Sequence, residues 1–251
     1  MKKEKGKTRR DLKILLLQVR EDPETRAEEF QEFVLYGQLL AHQITVLDAF
    51  ATPHFSADLL VGYDALFVGG SSDASVLKPE IYQFINPALA LLAYAVEYAV
   101  PVFASCFGFQ LLVVALGGTV IRDRPNMEMG VYPLFLTGAA KLDPLLQDLP
   151  QPFWAISGHQ ERASLLPPGL INLAYSERCP YHAIKVVGKP IYGFQFHPEV
   201  NPQDLRSRLE RYCDRYLESA AQTQQILATL RETPEANQLI GKFVDRILLS
   251  S

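Results

Sequence analysis

Four short apolar runs in the first half of the chain, at residues 12–19, 44–47, 65–68 and 102–105, alternate with stretches of helical periodicity. The first carries only Lys13 and Gln18 as interruptions, a pattern that suits a strand covered on both faces. Residues 23–42 read as a helix, with Pro23 near its start and Phe30, Phe33, Val34 and Leu40 among its apolar positions. Residues 87–99 and 107–116 read as two more helices. Strand followed by helix, repeated, predicts an α/β fold: a mostly parallel, doubly wound sheet flanked by helices.

The texture changes further on. Residues 131–137, 153–157, 171–175, 182–186 and 191–196 read as short strands separated by Pro, Gly and Asn, which predicts a small additional β region. From Pro202 the pattern is helical to the end. Thr233-Pro234-Glu235 has the form of a helix start, with a Thr cap, and Leu239, Ile240, Phe243 and Ile247 follow at helical spacing. The expected organisation is a basic disordered tail over residues 1–11, one α/β domain over 12–200, and a helical extension over 201–251 packed on the same domain.

With 48% hydrophobic and 21% charged residues, the 251-residue chain has the composition of a globular protein rather than a disordered one. Against 28 acidic residues stand 24 basic ones, so no basic excess points to nucleic acid. Lys13 breaks the apolar run after the basic N-terminus too early for a signal sequence, and no run approaches a membrane span. Three cysteines exclude a disulfide scaffold and suit a reducing compartment. The expectation is a cytoplasmic protein with no membrane and no nucleic-acid partner.

Three segments carry chemistry. In Pro101-Val-Phe-Ala-Ser-Cys-Phe-Gly-Phe-Gln110 an apolar strand runs into Cys106 and a helix begins at once. A nucleophile at such a turn stands above the sheet edge, and the new helix aims free N–H groups at it. The tight turn needs small residues two positions to either side, where Ala104 and Gly108 stand. The helix start also favours a thiolate. In the segment ending Phe196-His197-Pro198-Glu199, a strand delivers His197 to a sheet end, with Glu199 spaced to orient its imidazole. In Leu66-Phe-Val-Gly-Gly70, a strand ends in two glycines whose N–H groups can face a developing oxyanion.

Taken together, in this order, the three segments resemble the class I (triad) glutamine amidotransferases, including the glutaminase domain of GMP synthase and its free-standing relatives. The family's Gly-x-Cys-x-Gly-x-Gln elbow matches at residues 104–110, and its His-Pro-Glu motif at His197, Pro198 and Glu199. The resemblance implies a flavodoxin-like fold and a set of roles. Cys106 is the nucleophile, His197 the general base and then acid, and Glu199 the group that orients it. The N–H groups of Gly70 and Phe107 form the oxyanion hole. Gln110, Gly69 and His159 contact the substrate, glutamine or a γ-glutamyl compound. No cofactor is implied. Two positions depart from the pattern: Ala104 stands where the family usually has Gly, and Ser71-Ser72 follow the glycine pair where Pro or Gly is common.

Neither a Gly-x-x-x-x-Gly-Lys-[Ser/Thr] loop nor a Ser-Gly-Gly-x-Asp-Ser loop occurs, so any ammonia acceptor is expected on a separate synthetase subunit. Two enzyme readings follow, a glutaminase and a γ-glutamyl peptide hydrolase. A third reading is a non-catalytic regulatory or scaffold protein. The stripe at Leu239, Ile240, Phe243 and Ile247 is expected to pack on its own core or on a second copy in a homo-oligomer. Cys179 and Cys213 show no paired ligand spacing, so no metal site is read; His42, His54 and His182 read as structural or solvent-facing.

Overall fold

A computed structural model, describing residues 7–216 and 220–250, turns the first apolar runs into β1 (Ile14–Gln18), β2 (Ile44–Asp48), β3 (Ala65–Val68) and β4 (Val102–Ser105). They lie side by side in the order β2-β1-β3-β4, all parallel. Every residue of β1, β3 and β4 is buried, as strands covered on both faces require.

The cover comes from helices. One face packs under α1 (Pro23–Gly37), the other under α2 (Ile85–Glu97) and α3 (Phe107–Ala115). The carboxylate of Asp22 starts α1 by accepting from the Thr25 N–H at 2.7 Å, with Pro23 in the first turn. The helix stops at Gly37, short of the expected His42, because Gln38 takes the left-handed conformation (φ 51°) and its N–H turns back to Leu35.

The second half is largely part of the same sheet. A separate ribbon pairs β5 (Thr119–Arg122) with β8 (Glu161–Leu165). The other strands are β6 (Glu128–Leu136), β7 (Phe153–His159), β9 (Leu170–Tyr175), β10 (Ala183–Val186) and β11 (Ile191–Phe194). They continue the sheet beyond β4 as β11-β10-β9-β6-β7. β11 is parallel to β4, pairing Ile191 with Val102 and Phe194 with Ser105, and the remaining pairs are antiparallel. The chain thus returns, almost ninety residues after β4, to lay β11 directly beside it. This adjacency places the site.

Among the described residues the chain then runs through α4 (Pro202–Tyr216), α5 (Ala220–Thr229) and α6 (Pro234–Phe243), which continues into a π-helical turn over Val244–Leu248. Leu239, Ile240, Phe243 and Ile247 sink into the protein's own core. The Phe243 ring centroid lies 6.1 Å from that of Phe67, 5.4 Å from Phe103 and 6.1 Å from Tyr192. The Thr233 side chain does not cap α6 as expected; its carbonyl accepts from the Ala236 and Asn237 N–H groups instead.

Part of the expected tail is also held. Residues 1–6 of it lie outside the described residues, but Lys7 pairs with Asp64, and Arg9 with Asp245 and the Gly37 carbonyl. Residues 7–11 are therefore anchored because their cations meet acceptors on three different elements. Among the described residues no helix is long and apolar enough to cross a membrane.

Candidate active site

Ser105 ends β4, and Cys106 is the residue between that strand and α3, at φ 48° and ψ −97°. Such a positive φ is strained for a residue with a side chain and is held by the surrounding structure. The Cys106 N–H donates to the Phe194 carbonyl of β11 at 2.7 Å. Two residues on, a Cβ at Gly108 would lie 2.7 Å from the Val68 carbonyl oxygen, so only glycine lets α3 seat this closely on β3. The Ala104 methyl, one of the two departures, is absorbed in the core on the α2–α3 face.

β11 delivers the second segment. The His197 N–H donates to the Ile156 carbonyl of β7 at 2.8 Å, which fixes the backbone as it leaves the sheet. His197 Nδ1 and Glu199 Oε1 are 2.6 Å apart, and Glu199 is fully buried. Burial opposes a charge on His197, but the Cys106 sulfur and the Glu199 carboxylate, through charge and hydrogen bonds, outweigh it and raise the imidazole to about 10. Burial likewise works to raise the Glu199 carboxyl, and the charge of His197 overrides it, holding the carboxyl below its ordinary value. Sulfur, imidazole and carboxylate thus stand in a row, Cys106 beside His197 and His197 on Glu199.

A family model described as glutamine amidotransferase class-I matches residues 36–213. The chain belongs to the class I glutamine amidotransferase family. Among curated relatives, the glutamine-hydrolysing GMP synthase of Thermosipho africanus is 38% identical over 144 residues, 51% of this chain and 26% of that protein. The corresponding enzyme of Lactococcus lactis is 29% identical over 177 residues, 69% of this chain and 30% of that protein. The chain therefore spans less than a third of the length of these relatives. Among solved structures, a glutamine amidotransferase from Thermotoga maritima superposes with a TM-score of 0.77 at 19% identity, covering 96% of this chain and 99% of that one. A glutamine amidotransferase from Methylobacillus flagellatus gives 0.67 at 22% identity, over 93% of this chain and 95% of that one. At these identities the structures speak for the fold.

Against the amidotransferase pattern, the glycine pair holds a surprise. The Gly70 N–H, expected to be open for an oxyanion, donates to Glu29 Oε1 at 3.2 Å. Glu29 is itself held by Arg20, whose Nε lies 2.9 Å from the same oxygen. Gly69 is used structurally: its N–H donates to Leu17, its carbonyl accepts from Gly108, and a Cβ there would lie 2.5 Å from Glu29 Oε1. Phe107 is the first residue of α3, so its N–H is among the first-turn donors that no helical carbonyl can reach. The loop that follows the glycine pair is shaped by Ser71, whose hydroxyl accepts from the N–H groups of Asp73 and Ala74 at 3.1 and 2.9 Å.

Cys106, Gln110 and His159 line one cavity of about 220 Å³. Gln110 Nε2 donates to the Glu161 carbonyl at 2.8 Å, which ties α3 to β8. Gln195, which sequence reasoning passed over, donates its Nε2 to the Cys106 sulfur at 3.8 Å. Its place two residues before His197 was the available signal.

A buried network centres on Glu128. Glu128, on β6, accepts from His182 Nε2 at 2.7 Å, His159 Nε2 at 3.1 Å and Ser176 Oγ at 2.6 Å. Burial would raise its carboxyl, yet the two imidazoles hold it well below the usual carboxylate range. His182 is fully buried rather than facing solvent. Ligand atoms of His159, Cys179 and His182 lie within 4.8 Å of one another. Cys179 and His182 are three residues apart, but His159 stands twenty residues before Cys179, so no compact ligand spacing announces the group. The Glu128 carboxylate already takes both Nε2 atoms, and burial pushes the Cys179 thiol up to about 12, which keeps it protonated. The Cys213 side chain lies outside the described residues.

Proposed function

We propose that the protein hydrolyses the γ C–N bond of glutamine or a γ-glutamyl compound through a thioester on Cys106. The observation that carries this reading is the β4–β11 pairing, which puts Cys106 beside a His197 already bound to Glu199 at 2.6 Å. The chemistry follows from those positions. The Cys106 sulfur adds to the γ-carbonyl carbon, and the carbonyl oxygen becomes an oxyanion. The Phe107 N–H, at the helix start, meets that charge, and the Gly70 N–H joins it once Glu29 lets go. His197 gives its proton to the leaving nitrogen, the C–N bond breaks, and a γ-glutamyl thioester remains. Water then adds to the thioester carbon and loses its proton to His197. The C–S bond breaks, and glutamate leaves.

The donor cavity suits a zwitterion. Lys78 and Arg122 line it and can meet an α-carboxylate, and Glu161 and Asp73 line it and can meet an α-ammonium. With glutamine the reaction releases ammonia, as the name of the glutamine-hydrolysing GMP synthases that the chain resembles implies; with a γ-glutamyl amide it releases an amine. Purified protein should release glutamate from glutamine or from a γ-glutamyl amide, and Cys106→Ala should not. Intact-mass measurement should catch the glutamyl adduct on the wild type. Equal turnover by Cys106→Ala would refute the reading.

A further inference from the structure

A second cavity, of about 60 Å³, opens on the other side of the triad. Ser71, Ser72 and Gly158 form the wall that it shares with the larger one, but Cys106 lines only the larger and His197 only the smaller. That division has chemical meaning. In acyl transfer the acyl group sits on the nucleophile's side, while the leaving nitrogen must reach the group that protonates it. The cavity against His197 is therefore where a leaving amine would go.

Its lining is not what ammonia needs. Ile156, Val200 and Leu209 give it an apolar floor, and Arg20 and Arg208 give it two cations. Arg208 is committed, with Nη2 donating to both oxygens of Glu32 at 2.8 and 2.7 Å. Arg20 is not fully committed. Its Nε goes to Glu29 and its Nη1 to Ser72, at 2.9 and 3.0 Å, but Nη2 is buried without a hydrogen-bond partner. Only 3% of Arg20 is exposed, so bulk water does not satisfy that donor. Nη2 stands close to the proton carrier: a Cβ built on Gly70 would lie 2.7 Å from it and 2.8 Å from His197 Cε1. A buried guanidinium donor left open beside the catalytic imidazole calls for an anionic acceptor.

We propose that this cavity is the leaving-group subsite and that it takes a small amine carrying a carboxylate, which makes γ-glutamyl dipeptides with a small C-terminal residue the preferred substrates. This rests on the γ-glutamyl hydrolase reading above. A cavity of about 60 Å³ favours a leaving group as small as alanine over one with a bulky side chain. The carboxylate accepts from Arg20 Nη2, the methyl meets the apolar floor, and the amine nitrogen faces His197 for protonation as the C–N bond breaks.

The test compares γ-glutamylalanine with γ-glutamylethylamide, which keeps the carbon chain and lacks the carboxylate, with glutamine as a third substrate. Wild-type kcat/KM should favour γ-glutamylalanine over γ-glutamylethylamide by about tenfold or more, the scale of one charged hydrogen bond. Arg20→Met should bring the pair within about twofold, and Arg20→Lys, which keeps a cation opposite Glu29, should retain part of the preference. If Arg20→Met does not fold, the wild-type pair and Arg20→Lys still decide. Wild-type rates for the pair within twofold of each other would overturn the subsite while leaving the hydrolase reading in place. So would a variant that slows all three substrates equally. No turnover of any substrate and no adduct on Cys106 would overturn that reading and the subsite with it.

Discussion

Asn237, on α6, donates its side-chain amide to the Pro198 carbonyl at 2.8 Å, and the same nitrogen reaches the Val200 carbonyl at 3.0 Å. The last helix thus holds the backbone on both sides of Glu199. Asn237 is almost wholly buried, so water cannot replace these bonds. Asn237→Asp keeps the shape and removes the donor. It should cost roughly 1–3 kcal/mol of stability, the penalty for buried groups left without partners. It should also lower kcat more than it raises KM, because the loop that it frees carries His197, the proposed proton carrier, rather than the lining of the larger cavity. Urea denaturation with steady-state kinetics on the same preparation checks both. A stability loss with kcat untouched would show α6 to be scaffold alone.

Gly108 sets the elbow, and its replacement has a defined cost. A methyl there would meet the Val68 carbonyl oxygen at 2.7 Å and Val68 Cβ at 2.8 Å, both on a buried strand that has no room to shift. Gly108→Ala should lose about 1–3 kcal/mol, the usual scale for overpacking. It should lose activity as well, since α3 must lift and carry the Phe107 N–H with it. Wild-type thermal stability in this variant would mean that the contact between α3 and β3 is loose.

The three cysteines should not react alike. Cys106 sits at a helix start beside His197, whereas burial holds Cys179 protonated. A glutamine-like diazoketone should label Cys106 alone, and peptide mapping reads the position. A label on Cys179 or Cys213 would remove Cys106 from the role of nucleophile.

How much of this the sequence disclosed depended on whether the signal was local. Cys106 with Gly108, and His197 with Glu199, are each close in sequence, so strand-to-helix punctuation and spacing revealed them. The parallel strands were legible for the same reason: unbroken apolar runs need no partner to be recognised. The Glu128 network was not, because Glu128, His159 and His182 meet only once β6 has paired with β7 on one side and with β9, which carries β10, on the other. Nor was the hold of Glu29 on Gly70. In the sequence Glu29 is one more acidic residue on a helix, and only the burial of α1 against the glycine pair turns it inward. Asn237 followed the same rule: its stripe neighbours announced a packed face, but nothing in a helix start points to a loop nearly forty residues away.

The proton on His197 has a consequence for stability. The imidazole is raised to about 10 in the folded protein, with Cys106 and Glu199 overcoming burial. In the unfolded chain it titrates near 6.5. A histidine raised in this way adds stability that is fully present below the unfolded value and is lost as pH rises through the folded one. The wild type should therefore become less stable between about pH 7 and pH 10 from this group. Glu199→Gln removes one of the two partners that raise it, so its folded value should fall and its stability should change less over that window. The Glu199 carboxyl, held below its ordinary value, contributes in the opposite range: its stabilisation is lost as pH falls into the acid region, outside this window. Urea denaturation of both proteins at pH 6, 8 and 10 separates the two effects. The gap between wild type and Glu199→Gln should be widest at pH 6 and should narrow steadily through pH 8 to pH 10. Curves that stay parallel from pH 6 to 10 would mean that Glu199 does not hold the proton on His197. Its 2.6 Å contact would then orient the ring without charging it.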